Sequence, residues 1–430
     1  MGGVTTATAD RPPVSAGRNR GFMAAMVVDA VGSGVWITFS LLYFVYGRGI
    51  ELTAAGSALS AGSLTALAAG GLAVGTLTDR LGPYRAAVLS CACRAVAFPC
   101  YLLADSVAAV AVIAFTVSFG DRLYWAAHGG LVDSVASSEQ AQRGLFALLN
   151  SLRNVGLGVG ALAVAMASSL QGADAALWNA IPLVNAASFA VAGVLFGWVG
   201  RTLAPARDRA AAGRHGRRKG GGRASYRGVL GNRAFLAFTG ATLALTLSSV
   251  AFDSILPVYL RSLDAPLWAP PAAYVLSCVA IPVFQPLALR LGRRHAPLRL
   301  MSAAAVLVAA AFGGLAALSL LSGTGVVVGI GVPVLVFSLG EAVFGAVAMT
   351  IVLAYAASGE AGRYSAFYQL AWGLSGALGP GVHTLLFSAS GSAPWLVLGC
   401  ALLVGAVVHL RLDRAAAAPA EAPHQRKSEA

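Results

Sequence analysis

"GTLTDRLGPYR", Gly75 to Arg85, sets one aspartate, two arginines and a Gly-Pro turn between two long apolar runs. In a water-soluble domain this would be an ordinary surface turn. Its neighbours say otherwise. The runs on either side reach the roughly 20 apolar residues that a helix needs to cross a bilayer. Charged residues make up 11% of the 430-residue chain and the mean hydropathy is +0.74, whereas soluble domains carry about 25% charged residues. The stretch therefore reads as the polar turn between two spanning helices. The apolar runs are continuous and too long for the alternating strands of a membrane barrel.

Twelve such runs follow one another. They cover 22–46, 55–77, 84–104, 106–132, 144–169 and 176–199, then 234–260, 267–289, 298–321, 325–354, 364–388 and 394–411. The expected class is an all-α polytopic membrane protein. Its parts are a polar tail (1–20), a six-helix bundle (21–200), a basic linker rich in Arg, Gly and Ala (201–233), a second six-helix bundle (234–412) and a second tail (413–430). The N-terminal tail lacks the short apolar core and small-residue cleavage site of a signal peptide. Five cysteines, Cys91, Cys93, Cys100, Cys278 and Cys400, lie in apolar runs without metal-like spacing and read as packing residues.

Positive charge sets the expected orientation. With an even number of spans and the N-terminus inside, 25 of the 30 lysines and arginines fall in cytoplasmic tails and turns. Only Arg48 and Arg261 fall in outside loops. Such asymmetry places both termini in the cytoplasm. The net charge of +13 then follows from topology. The linker carries no aromatic or folded module beside its charge, so nucleic acid is not an expected partner.

The halves resemble each other. "GTLTDRLGPYR" returns weakly as "QPLALRLGRRH" after span 8, and "RGLFALLNSLRNVGLGVGAL" entering span 5 parallels "RYSAFYQLAWGLSGALGPGV" entering span 11. In a duplicated helical transporter, substrate binds between the halves near the midplane and the halves rock around it.

The opening stretch resembles motif A of the major facilitator superfamily, Gly-x-x-x-Asp-Arg-x-Gly-Arg-basic between helices 2 and 3. Gly75, Asp79, Arg80 and Gly82 match, Pro83 and Tyr84 occupy the two basic positions, and Arg85 follows one place late. "SLGEAVFGAVAMTIVLAYAASGEAGRYSAFYQLAWGLSGALGPGV" is similar to helices 10 and 11 of the bacterial drug/proton antiporters. The resemblance implies two pseudo-symmetric six-helix bundles in the major facilitator fold. It also implies a latch in which Asp79, stabilised at the N-terminus of helix 11, and Arg80 and Arg85 hold the halves together when the site faces outward.

Charges inside spans are costly and mark candidate pathways. At 1.5 Å per residue, Asp29 lies roughly 12 Å into span 1, and Arg94 and Arg122 each lie roughly 15 Å into their spans, with Asp121 beside Arg122. Side chains of adjacent helical residues point about 100° apart, so Arg122 is expected to meet Asp29. Two readings stay open: a proton-coupling pair that substrate movement separates, or a static ion pair that fixes helix packing. Glu341, mid-depth in span 10 without an arginine on its own helix, can carry protons, meet a cationic substrate or pack protonated. Asp253 reads as an outer interfacial charge and His128 as a hydrogen-bonded structural histidine. Gly156, Gly158 and Gly160 in span 5, and Gly373, Gly376, Gly379, Pro380 and Gly381 in span 11, mark close contacts and bendable backbone. Span 5 resembles the antiporter motif Gly-Pro-x-x-Gly-Gly only loosely; the proline stands in span 11 instead. Trp36, Trp125 and Trp372 are candidate cavity aromatics, with ordinary packing as the alternative.

These residues point to a monomeric, proton-coupled exporter of small amphipathic molecules in the plasma membrane. A proton gradient supplies the energy, and no cofactor, metal or enzyme activity is expected. No phosphate-binding loop ending in Lys-Ser/Thr and no His-Glu-x-x-His is present. An importer or uniporter on the same scaffold is the alternative, and a non-transporting membrane receptor the third.

Overall fold

A computed structural model describes residues 16–135, 139–171, 174–212, 227–356 and 360–417. Twelve long helices run through them: α1 (Ala16–Ile37), α2 (Leu52–Leu81), α3 (Pro83–Cys100), α4 (Val107–Val135), α5 (Glu139–Gln171), α6 (Ala175–Ala212), α7 (Arg233–Ser254), α8 (Ala269–Arg294), α9 (Pro297–Ala317), α10 (Gly331–Tyr355), α11 (Ala361–Ala389) and α12 (Ala393–Ala417). No strand occurs among the described residues. The termini of these helices follow local chemistry. Glu51 caps α2 by accepting from the backbone of Thr53 and Ala54, and Asn232 caps α7 through Phe235 N at 3.0 Å. Prolines stand in the first turns of α3, α8 and α9, where the missing N–H would be unsatisfied anyway. Gly82 separates α2 from α3 at φ +75°, a left-handed conformation that glycine adopts without steric cost.

The two-lobed plan is visible in which helices pack together. In the first lobe α1 packs on α5 and α6, α2 on α4, and α3 on α4 and α6. Adding six to each number gives the second lobe: α7 on α11 and α12, α8 on α10, and α9 on α10 and α12. The lobes meet through α2–α11 and α5–α8, which exchange under the same operation. Apolar side chains face lipid in number; Val112, Val155, Leu170 and Val194 are all more than half exposed, as expected when the solvent is hydrocarbon.

Several boundaries differ from the sequence expectation. Span 1 is not one helix to residue 46. It breaks after Ile37, resumes at Ser40 and ends in a π-turn, Tyr43–Gly47. Helix α1 starts at Ala16, inside the expected tail, and α6 runs to Ala212, inside the expected linker. Among the described residues eleven helices are long and apolar enough to cross a membrane on composition; α11, with 29 residues, is not among them. Its glycines, Ser365, Gln369 and His383 lower its apolarity. Residues 1–15, 213–226 and 418–430, which carry most of the tails and of the basic linker, lie outside the described residues.

Candidate functional site: a charged layer in the first lobe

Arg94 of α3 is the centre of the layer. Its side chain is 4% exposed and lies 3.2 Å from Asp29 of α1 and 3.0 Å from Asp121 of α4. The guanidinium also stands 4.0 Å over the ring of Phe189 in α6 and 5.4 Å from that of Tyr124. Close helix approach makes this geometry possible. A Cβ on Gly120 would come within 2.9 Å of Arg94 Cγ and 3.1 Å of Ser90 O, and Ser90 Oγ donates to Gly120 O at 2.7 Å. A buried cation held by two carboxylates and an aromatic face satisfies the requirement that charge be paired away from water.

The expected Arg122–Asp29 pair is not formed. Arg122 turns away from its own lobe and donates to the backbone carbonyl of Gly373 in α11 at 2.9 Å. Arg94 and Arg122 lie at similar depth, so helical rise could not choose between them; the direction each faces does.

Met26, Asp29, Ser33, Arg94, Asp121, Tyr124, Trp125 and Arg153 line a recess of about 50 Å³, room for a few water molecules. Asp121 reaches it with 49% of its side chain exposed and Asp29 with 14%. Arg153 of α5 was missed in the sequence because it stands alone in its span. Its guanidinium lies 5.3 Å from the Trp125 ring, and its field acts on both Asp121 and Asp253 of the opposite lobe. Asp253, expected at the outer interface, is half-buried near the end of α7 and interacts electrostatically with Glu341. Glu341 has a partner after all: Ser249 Oγ donates to it at 2.8 Å. His383, also missed, is fully buried beside Ser254 Oγ, 3.1 Å from Nδ1. His128 packs against Tyr124 and Trp125, centroids 5.7 and 5.3 Å apart.

The aromatic candidates separate. Trp36 is packing: it stacks on Tyr101 at 5.2 Å within a cluster of Tyr43, Phe44 and Phe98. Trp125 lines the recess, and Trp372 stacks on Phe344 at 5.9 Å. The glycines separate as well. A Cβ on Gly156 would meet Ala30 Cβ at 2.6 Å, one on Gly160 would collide with Val31 O, and one on Gly379 would meet Val250 at 2.5 Å. Gly158 faces Cys278 across the lobe interface, whereas Gly376 has open space. Pro380 stands inside the continuous α11, and Ser60 of α2 serves the backbone there, accepting from Gly381 N at 2.8 Å and donating to Leu378 O at 3.3 Å.

Ser60 is eight residues from the end of α2 that is farther from the Gly82 turn, so these contacts lie toward the far end. There the Leu256–Ser262 segment after α7 also meets the continuation of α1 at Ser40–Leu42. At the opposite end Gly75, Asp79 and Arg80 are exposed, and nothing lies within 4 Å of a Cβ built on Gly75. Among the described residues Asp79 and Arg80 have no ion-pair partner. The lobes are closed from mid-depth to the far end.

Twelve helices among the described residues, in two related lobes with charge buried at mid-depth, have the architecture of a membrane transport protein. The chain belongs to the Major Facilitator Superfamily, whose sequence model matches residues 21–380. No curated protein matches the sequence. Among solved structures, the nucleoside transporter NupG is similar with a TM-score of 0.73 at 12% identity, over 92% of this chain and 99% of that one. A peptide transporter POT in complex with sulfate matches with a TM-score of 0.70 at 15% identity, over 95% and 97% of the two chains. The POT family transporter PepTSo matches with a TM-score of 0.70 at 14% identity, over 94% and 99%. At these identities the likeness is one of fold.

Proposed function

We propose that the protein is a proton-coupled secondary active transporter that exports small amphipathic molecules across the plasma membrane. Both termini lie in the cytoplasm, and the lobes 21–200 and 234–412 rock about the recess as one monomer, with the proton gradient as energy source. The observation that carries this reading is the Asp29–Arg94–Asp121 assembly, buried in the first lobe yet open to a recess lined by α1, α3, α4 and α5. A proton on either carboxylate releases it from Arg94, and a substrate lodged between Trp125 and the second lobe competes for the same space. With positive charge inside, the closed far end is the outside, and the conformation faces the cytoplasm. The exposed Asp79 and Arg80 fit that assignment, since the latch resembles one that closes only in the outward-facing form.

The test is flux in proteoliposomes under imposed pH gradients, with a panel of lipophilic cations, weak acids and neutral aromatics. Reversing the gradient should reverse net movement of a transported compound, and Asp29→Asn should abolish that response while the protein still inserts. Demonstrable transport that ignores the gradient removes the coupling. Import on the same scaffold is the second reading. It is favoured by the missing proline in the α5 segment "RNVGLGVGAL" and by the fold shared with nucleoside and peptide transporters. The direction of accumulation of a labelled substrate in intact cells decides between them.

A further inference from the structure

Asp121 and Arg122 are neighbours on α4, and their side chains serve different lobes. Asp121 turns inward to Arg94, 3.0 Å away. Arg122 crosses the seam to Gly373 O of α11. Gly373 is the seat of that contact, because a Cβ there would collide with Arg122 Nη1 and lie 3.2 Å from Cζ. We infer that this dipeptide links the buried charge layer to lobe closure, with Arg122 as a positioning residue that holds the far end shut while Asp121 is held by Arg94.

The geometry supports a link rather than two independent contacts. Consecutive helical residues share one rigid turn and project about 100° apart, so a displacement of Asp121 also moves the base of Arg122. The guanidinium ends on a backbone carbonyl in a fixed place, and charged hydrogen bonds of this kind depend on geometry. Side chains of the first lobe grip the α11 backbone elsewhere only at Ser60, among the hydrogen bonds of the described residues. Ser60 lies on α2, away from the charge layer, and supplies an internal comparison: a clamp without the link.

Several groups face Asp121 and set its charge together. They are Arg94 of α3, Asp29 of α1, Arg122 on α4 itself and Arg153 of α5; Tyr101, which follows α3, also feels its field. With Asp121 ionised, Arg94 fixes the turn and Arg122 reaches Gly373. Protonation of Asp121 removes the tether on the turn, and the Arg122 contact loosens with it. Acidification therefore populates conformations with the far end open.

The inference rests on alternating access and a proton-sensitive layer, but on neither the substrate nor the direction of transport. Its test needs no substrate. Spin labels on Ala108→Cys and Thr324→Cys, both exposed and one in each lobe at the far end, report lobe separation by pulsed electron paramagnetic resonance. The full-length protein is reconstituted with its five native cysteines replaced by alanine or serine. In the parent, lowering the pH should increase the long-distance population. Arg122→Gln should raise that population about tenfold, the equivalent of losing one hydrogen bond to a charged group, and flatten its response to pH. Gly373→Ala, which keeps every charge and only displaces the guanidinium, should do the same. Ser60→Ala should open the far end yet keep the pH response. Arg122→Gln and Gly373→Ala variants that retain the parent's pH response overturn the link and leave proton coupling standing. A parent whose distances ignore pH overturns both.

Discussion

Removing Arg94 is the sharpest test of the charged layer. Arg94→Met keeps side-chain length and apolar contact with Phe189 but withdraws the cation from Asp29 and Asp121. At an effective dielectric of about 20, a unit pair separated by 3.2 Å attracts by about 5 kcal/mol, most of it offset by desolvation of the two groups. Deleting one partner exposes that imbalance, because the surviving charge stays buried; such deletions cost about 3–5 kcal/mol. Asp29, 14% exposed, belongs to that class. Asp121 is 49% exposed, so water screens it, and its share is about 0–1 kcal/mol. The expected loss is about 3–6 kcal/mol, read by equilibrium unfolding in mild detergent at neutral pH. Arg94→Met combined with Asp29→Leu removes both ends of the buried pair and should recover most of the loss, since apolar replacement of a whole pair is often neutral. The double variant should still fail to couple transport to a pH gradient. A single variant within 1 kcal/mol of the parent would falsify the argument, as would a double variant no more stable than the single.

Three further outcomes follow from the geometry. Gly160→Val, whose side chain would drive α5 off the α1 backbone at Val31, should cost about 1–3 kcal/mol, while Gly376→Ala, with open space around it, should be neutral or slightly stabilising in the same unfolding measurement. Trp125→Ala should weaken substrate affinity in a binding titration at near-parent stability, and Trp36→Ala should do the reverse, losing about 3–5 kcal/mol with affinity unchanged. At the cap of α2, hydrogen bonds from the Thr53 side chain and then the Thr53 and Ala54 amides hold the Glu51 carboxyl below its ordinary value of 4.5. A depressed value in the folded state contributes order above that pH and loses it as the pH falls further through the folded value. Amide exchange at Thr53 and Ala54 should therefore accelerate below about pH 4.5, and Glu51→Gln should remove that step.

The fold was legible because bilayer thickness is a strong constraint. Apolar runs of a set length, punctuated by turns such as Leu81-Gly82-Pro83, leave little freedom in helix number, and the duplicated turns pointed to two lobes. The misjudged ends have local causes. Helix α6 continues to Ala212 through Gly200 and Pro205; the alanines and arginines around them are strong helix formers. Span 1 breaks near Thr38, whose hydroxyl donates back to Gly34 O at 3.2 Å; local bonds of this type bend helices, and hydropathy does not register them. Helix α11 shows the opposite case: it stood among the twelve expected spans, yet its apolarity falls short of the other eleven.

The site was legible in one coordinate only. Counting residues from a helix end gives depth, and depth placed Asp29, Arg94, Asp121 and Arg122 correctly in one layer. Which way each side chain points depends on helix rotation, and rotation is fixed by contacts that sequence spacing does not contain: Gly120 against Ser90 and Arg94, and Gly373 beneath Arg122. Gly373 was marked as a close-contact glycine but not as the seat of a guanidinium, and Gly120 occupies an apolar run where nothing distinguishes it until Arg94 is seen beside it. The exchange of roles between the two arginines matters to the mechanism. An Arg122–Asp29 pair would have confined the whole charge layer to one lobe, able to change protonation without moving anything across the seam. With Arg94 taking both carboxylates, Arg122 is released to reach the other lobe, and a single turn of α4 then touches the buried charge layer on one side and the α11 backbone on the other.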